Sequence, residues 1–267
     1  MSWTPSIVPE RRRRPLPPED ATIDALTDAQ RTFVAESCTR RAELELVGAA
    51  SFVVVTRALV ELGAAPAIVA LSSRAITEEL LHSEIYLHVA SRYAGRRVDA
   101  PTMRAAPVPC FAAASEMQQH ALHVVGMCSV NETMACEFLR VCVEGCVGPL
   151  LRAAVREILA DEIDHGRIGW AWLASMSPTD PRRAEFGPWI GPLIETQWRG
   201  WQRQLDGLPT DALPEHGCPS GAAIADAGLG ALRDLVLPGF AHLGFDTTDA
   251  AAWLHGTRVA VWHSGNP

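Results

Sequence analysis

Two runs of the form acid-Glu-x-x-His, Glu78-Glu79-Leu80-Leu81-His82 and Asp161-Glu162-Ile163-Asp164-His165, are the residues of this chain best suited to chemistry. On a helix, residues three apart share a face. Glu79 with His82, and Glu162 with His165, can therefore each offer one carboxylate and one imidazole to a single metal ion. One such run arises by chance in many helices. Two runs, each preceded by a second acid and each set among Ile, Leu, Val and Ala, point to a retained site, because an unpaired buried carboxylate is costly.

The elements that must position these residues read as all-α. Aromatics are 6% of the chain, only two residues are Tyr, and alternating β-branched runs are nearly absent. A first helix is expected from Asp28 to Leu62, stopped by Gly63, and a second from Pro66, a good first-turn residue, to Ala94, stopped by Gly95. Arg96 to Pro109, with its prolines, reads as a loop or crossover. A third helix is expected from Phe111 to Gly145, and a fourth from Pro149 to Met176, ended by Ser177-Pro178. The order is hairpin, crossover, hairpin, with one Glu-x-x-His run in each hairpin.

Helical phase then supplies one more carboxylate per hairpin. Glu132 shares a stripe with Val125, Cys128, Cys136 and Leu139, so its face is apolar and inward. On the first helix, Glu43 and Glu61 lie five turns apart on the side of Arg57, the wet side, by the 3.6-residue period. Glu45 points nearly opposite, in line with Gly48, Ala49, Phe52, Thr56 and Leu59, and is the better candidate.

The resulting set is Glu45, Glu79, His82, Glu132, Glu162 and His165: one Glu from each of two helices and a Glu-x-x-His from each of the other two. Over Asp28 to Met176 this resembles the ferritin-like di-iron carboxylate superfamily. The resemblance implies a ferritin-like four-helix bundle with a crossover connection, all six residues as metal ligands, two iron ions with manganese as the variant, and dioxygen as co-substrate. Carboxylates bridge two cations, while one imidazole per ion leaves positions open, and histidine ligands disfavour calcium. The oxygen-activating branch uses the acid before each Glu ligand to orient the His of the opposite helix. Carried over, Asp161 would support His82 and Glu78 would support His165. Tyr86, one turn after His82, stands where the similar ribonucleotide reductase subunits carry a radical tyrosine; a core or pocket-lining aromatic is the plainer reading.

Composition narrows the rest. A formal net charge of −8 argues against broad nucleic-acid binding. The sole basic run, Arg11 to Arg14, lies in a Pro-rich stretch without an apolar signal core, so residues 1–27 read as a disordered leader. Seven cysteines without zinc-type spacing fit a reducing, cytoplasmic setting. The apolar run from Leu44 to Val60 contains Glu45 and Arg57 and reads as a buried helix, so no membrane span is expected. Residues 28–178 form the expected bundle, and residues 179–267 an expected C-terminal helical extension, with a Trp-rich segment, a Pro/Gly-rich linker and a last helical region, suited to covering one bundle mouth or making a homodimer contact.

The expected function is an O2-dependent non-haem di-iron oxygenase acting on a small organic substrate, as in natural-product metabolism, served by an external electron donor such as a reductase or ferredoxin. The doubled acid before x-x-His is similar to that of arylamine N-oxygenases, but their extra histidine one turn before the last Glu is Ile158 here. Hydroxylation and desaturation stay equally open. The alternatives are a ferroxidase-like, iron-handling bundle, a tRNA-modifying di-iron hydroxylase, and a structural bundle whose carboxylates pair with Arg. The room beside the metals is expected along Gly48, Ala49, Cys128 and Cys136.

Overall fold

In the computed structural model, which describes residues 14–205 and 212–264, the chain is helical with no strand among the described residues. A short helix α1 (Ala21–Asp24) leads into α2 (Asp28–Glu61), which starts at a capping box formed by Thr27 and Gln30 and ends before Gly63, whose φ is 65°. The return helix α3 (Pro66–Ala94) has Pro at its first turn and stops at Gly95 in the left-handed region. These two helices pack along their length as a hairpin.

The crossover then runs to Ser115, which caps α4 (Glu116–Val124) through a second capping box with Gln118. Phe111 is thus not the helix start expected from sequence, because Ser115 supplies the side-chain cap that Phe111 lacks. The helix widens into a π-helical stretch, Val125–Asn131, and continues as α5 (Glu132–Gly145). After a tight turn, α6 (Pro149–Ser175) packs on α5 and on the π-helical stretch, and also on α3. α3 and α6, the carriers of the two Glu-x-x-His runs, are therefore direct neighbours.

Along each of these helices the acidic residues interrupt an otherwise apolar interior and divide it into two cores. One core holds Phe52, Ala75, Met134 and Ile168, and the other holds Ala42, Leu81, Leu139 and Ile158. Glu45 falls between the two cores on α2, Glu79 on α3, and Glu162 with His165 on α6. The apolar layers above and below remove this belt from water, so the carboxylates within it must find partners in one another, in imidazoles or in cations.

The remaining helices, α7 (Pro181–Phe186), α8 (Ile190–Leu205), α9 (Gly221–Ala231), α10 (Leu237–His242) and α11 (Thr248–Ser264), fold back onto this body. Trp198 of α8 is buried, and α9 approaches it at Gly228, where a Cβ would meet the Trp198 ring at 3.0 Å. Residues 1–13 of the expected leader lie outside the described residues. Its last part is packed rather than free: Ile23 is buried, and the Asp20 carboxylate caps α1 and accepts from Leu150 N–H at 3.0 Å. No helix among the described residues is long and apolar enough to cross a membrane.

Candidate metal centre

All six residues expected as ligands lie in the belt between the two cores. Glu79, His82, Glu132, Glu162 and His165 are buried, and Glu45 is nearly so. Glu45, Glu79, His82 and Glu162 each offer a ligand atom within 4.8 Å of all the others. His82 Nδ1 lies 3.0 Å from Glu162 Oε1, 3.6 Å from Glu45 Oε2 and 3.9 Å from Glu79 Oε2. His165 Nδ1 lies 2.9 Å from Glu162 Oε2 and 3.3 Å from Glu79 Oε1. Glu79 and Glu162 thus each turn one oxygen to one imidazole and the other oxygen to the second. Glu45 stands on the His82 side, while Glu132 is hydrogen-bonded to Glu162 and feels the His165 charge.

The outer nitrogens of the two rings are held crosswise. His82 Nε2 is 3.0 Å from Asp161 Oδ2, and His165 Nε2 is 3.0 Å from Glu78 Oε2. A carboxylate only accepts, so each ring donates its Nε2–H to the crosswise acid and turns Nδ1 toward the belt carboxylates. Glu78 is itself held by Arg74, 3.2 Å away, which also reaches Asp164 at 3.0 Å. The sequence reading missed Arg74, although its spacing of four residues before Glu78 was the available signal.

Gly48 explains how Glu79 reaches its place. A Cβ on Gly48 would stand 2.7 Å from Glu79 Oε2 and 2.9 Å from its Cδ, so only glycine leaves this space on α2. Glu43, the rejected neighbour of Glu45, is on the surface, paired to Arg40 at 2.9 Å.

The electrostatics show a cluster short of positive charge. Burial pushes the Glu45 carboxyl well above the usual carboxylate range, against the hydrogen bond from His82. Burial raises Glu132 in the same way, helped by Glu162 and Glu79. Burial and the Glu162 charge press Glu79 upward too, yet hydrogen bonds from His165 and His82 hold it below its ordinary value. Glu162 is held lower still by His165 and His82 despite its burial. Both imidazoles rise well above their usual range although burial opposes this, His82 chiefly through Asp161 and His165 chiefly through Glu162.

A cavity of about 730 Å³ opens onto this cluster, with Glu45, Gly48, Glu79, Glu132 and Glu162 in its wall. Its other walls are mainly apolar, with Val47, Val55, Leu122 and Phe138 from the long helices and Trp201 from α8. Of the four small residues expected to line it, only Gly48 does. Ala49 is fully buried in the helix packing, and Cys136 is turned away from the cavity. Cys128 lies in the π-helical stretch, close enough to Glu132 to feel its charge, but packs against Gly169 of α6 instead of lining the cavity. Tyr86 is buried in the cavity wall and its hydroxyl has no hydrogen-bond partner. His123 is not near the cluster but bonds Pro109 O at 2.8 Å, tying the crossover over the cavity. On the opposite edge Trp201 Nε1–H donates to Asn131 Oδ1 at 2.9 Å, seating α8 as a second part of the cover.

No family model matches this chain, and neither a curated protein nor a solved structure matches it. The chemistry of the site therefore has to be argued from its donors. They fit a pair of cations. His82 Nδ1 is buried with three carboxylates within 4 Å of it. An imidazole nitrogen set among carboxylate oxygens, with the other ring nitrogen held by an acid, is the arrangement a metal ion takes up once Nδ1 gives up its proton. Glu45 with His82 and Glu132 with His165, each pair beside Glu79 and Glu162, would offer one imidazole and one carboxylate to each of two ions.

Proposed function

We propose that this chain is a ferritin-like four-helix bundle holding two iron ions, and that it is an O2-dependent oxygenase for a small organic molecule. One observation carries the reading: Glu79 and Glu162 each face both imidazoles, and both carboxylates stand in the wall of an apolar cavity. Glu45 and His82 would hold one ion, Glu132 and His165 the other, and Glu79 and Glu162 would serve both. Mixed carboxylate and imidazole donors suit iron or manganese. The bound ions would supply reductive activation of dioxygen.

The residues of the chain supply the rest. Asp161 and Glu78 fix the tautomer and orientation of the two rings. Phe52, whose ring meets His165 edge-on at 5.0 Å, and the apolar cores on either side exclude water from the cluster. The cavity wall presents Val, Leu, Phe and Trp side chains to a substrate, the lining expected of a site for an organic molecule. Inserting one oxygen atom of O2 and reducing the other to water takes two electrons and two protons, so an external donor of the reductase or ferredoxin class completes the balance.

The test is oxygen uptake by iron-loaded protein against a panel of small organic compounds, with mass-spectrometric search for products. Uptake that depends on an added organic compound and yields an oxidised product supports the oxygenase. Uptake that tracks only added Fe(II), with ferric iron accumulating, assigns the chain to iron handling instead.

A further inference from the structure

Arg41 lies one turn before Glu45 on α2, and its side chain forms part of the same cavity wall. Its Nη2 donates to Gly217 O at 2.7 Å. Its guanidinium carbon stands 4.9 Å from the Phe138 ring and 5.7 Å from the Tyr86 ring. Nη1 is buried and has no acceptor, and among the described residues no carboxylate pairs with Arg41. The other groups around it are neutral. Burial pushes the Cys142 thiol up to about 11 and Cys38 higher, against the pull of Arg41, and raises the Tyr86 phenol as well. The Tyr86 hydroxyl is a second buried donor without a partner in this wall.

A permanent cation set among rings and thiols, with Nη1 unpartnered in the same cavity wall as an unpartnered hydroxyl, lacks an anion. We propose that this end of the cavity binds the carboxylate of an otherwise apolar small molecule, which accepts hydrogen bonds from Arg41 Nη1 and Tyr86 Oη. A carboxylate matches the donors on offer: one negative charge against one guanidinium, and two oxygens for one free nitrogen and one hydroxyl. The rest of the ligand would lie along Phe138, Leu139 and Val47 toward Glu45, which is about 6 Å along the helix axis from Arg41. That this ligand is the substrate rests on the oxygenase reading; that the wall selects a carboxylate does not.

The probes are decanoate, 1-decanol and decyl phosphate, titrated into the full chain before and after iron loading and followed by tryptophan fluorescence, since Trp201 is in the wall. Decanoate should bind about tenfold or more tighter than decanol in both forms, the range of a charge-assisted hydrogen bond. Arg41→Met should remove that preference while decanol binding and iron content hold, and Arg41→Lys should restore part of it. Tyr86→Phe, which removes only the hydroxyl, should weaken decanoate several-fold and leave decanol alone; this arm and the wild-type comparison stand if Arg41→Met does not fold. Equal binding of decanoate and decanol, a preference that survives Arg41→Met, a preference confined to the iron-loaded form, or tighter binding of decyl phosphate would each overturn the proposal. A chain that selects decanoate but binds no iron would sink the oxygenase reading and leave this one standing.

Discussion

His82 Nε2 lies 3.0 Å from Asp161 Oδ2 across the α3–α6 interface, and the mirror contact joins His165 to Glu78 at the same distance. Each helix therefore carries the acid that orients the other helix's imidazole. Asp161→Ala frees the His82 ring to rotate and to change tautomer while leaving every proposed ligand in place. Metal affinity or turnover should fall by about 10 to 100-fold, with helix content unchanged by circular dichroism. Glu78→Ala should act alike on the His165 side, and it also strips Arg74 of one of its two carboxylate partners. Wild-type affinity in both variants would show that the crosswise contacts are incidental.

Gly48→Ala separates metal binding from folding. The added methyl would press on Glu79 at 2.7 Å, displacing a carboxylate proposed to serve both ions. Alanine is also the better helix former by about 1 kcal/mol. The metal-free protein should melt no lower than wild type, while metal content or affinity drops by about tenfold, the scale of one misplaced ligand contact. Unchanged metal binding would mean that Glu79 is not held where α2 presents it.

Glu45 and Glu43 differ by half a helical turn, and the structure gives them opposite surroundings. Glu45→Ala should lose one of the two proposed ions, as read by elemental analysis. Glu43→Ala removes only an exposed pair with Arg40, worth about 0–1 kcal/mol, and should leave metal content unchanged. The reverse outcome would reassign the first-helix ligand.

The long helices were legible because their punctuation is local. Thr27, Gly63, Pro66, Gly95 and Pro149 act through backbone geometry or a side chain within a few residues, and the helices run as those residues dictate. The clustering of Glu45, Glu79, His82, Glu162 and His165 followed from helical phase on α2, α3 and α6, which have no interruption near the site. Phase failed where the period itself changes: the π-helical stretch Val125–Asn131 is set by packing against Gly169 and α8, and no local residue announces it. Cys128 is near Glu132 as expected, yet it packs against Gly169 and not into the cavity wall. Arg41 was passed over because its significance is a missing partner, which only three-dimensional contacts reveal.

The π-helical stretch makes its own prediction. A Cβ at Gly169 would overlap Ser129 Oγ and stand 3.1 Å from Ser129 N and 3.2 Å from Cys128 Cβ. Gly169→Ala should destabilise the protein by about 1–3 kcal/mol, the usual cost of overpacking, measured by urea denaturation. A variant as stable as wild type would mean that the stretch yields freely and does not fix the approach of Glu132.

The central claim is that the belt of Glu45, Glu79, His82, Glu132, Glu162 and His165 holds a pair of metal ions. The most direct test is metal content of the full chain after anaerobic loading with Fe(II) and removal of excess, read by elemental analysis beside circular dichroism. The account predicts about two iron ions per folded chain. Well below one ion per chain with the helices intact would contradict it.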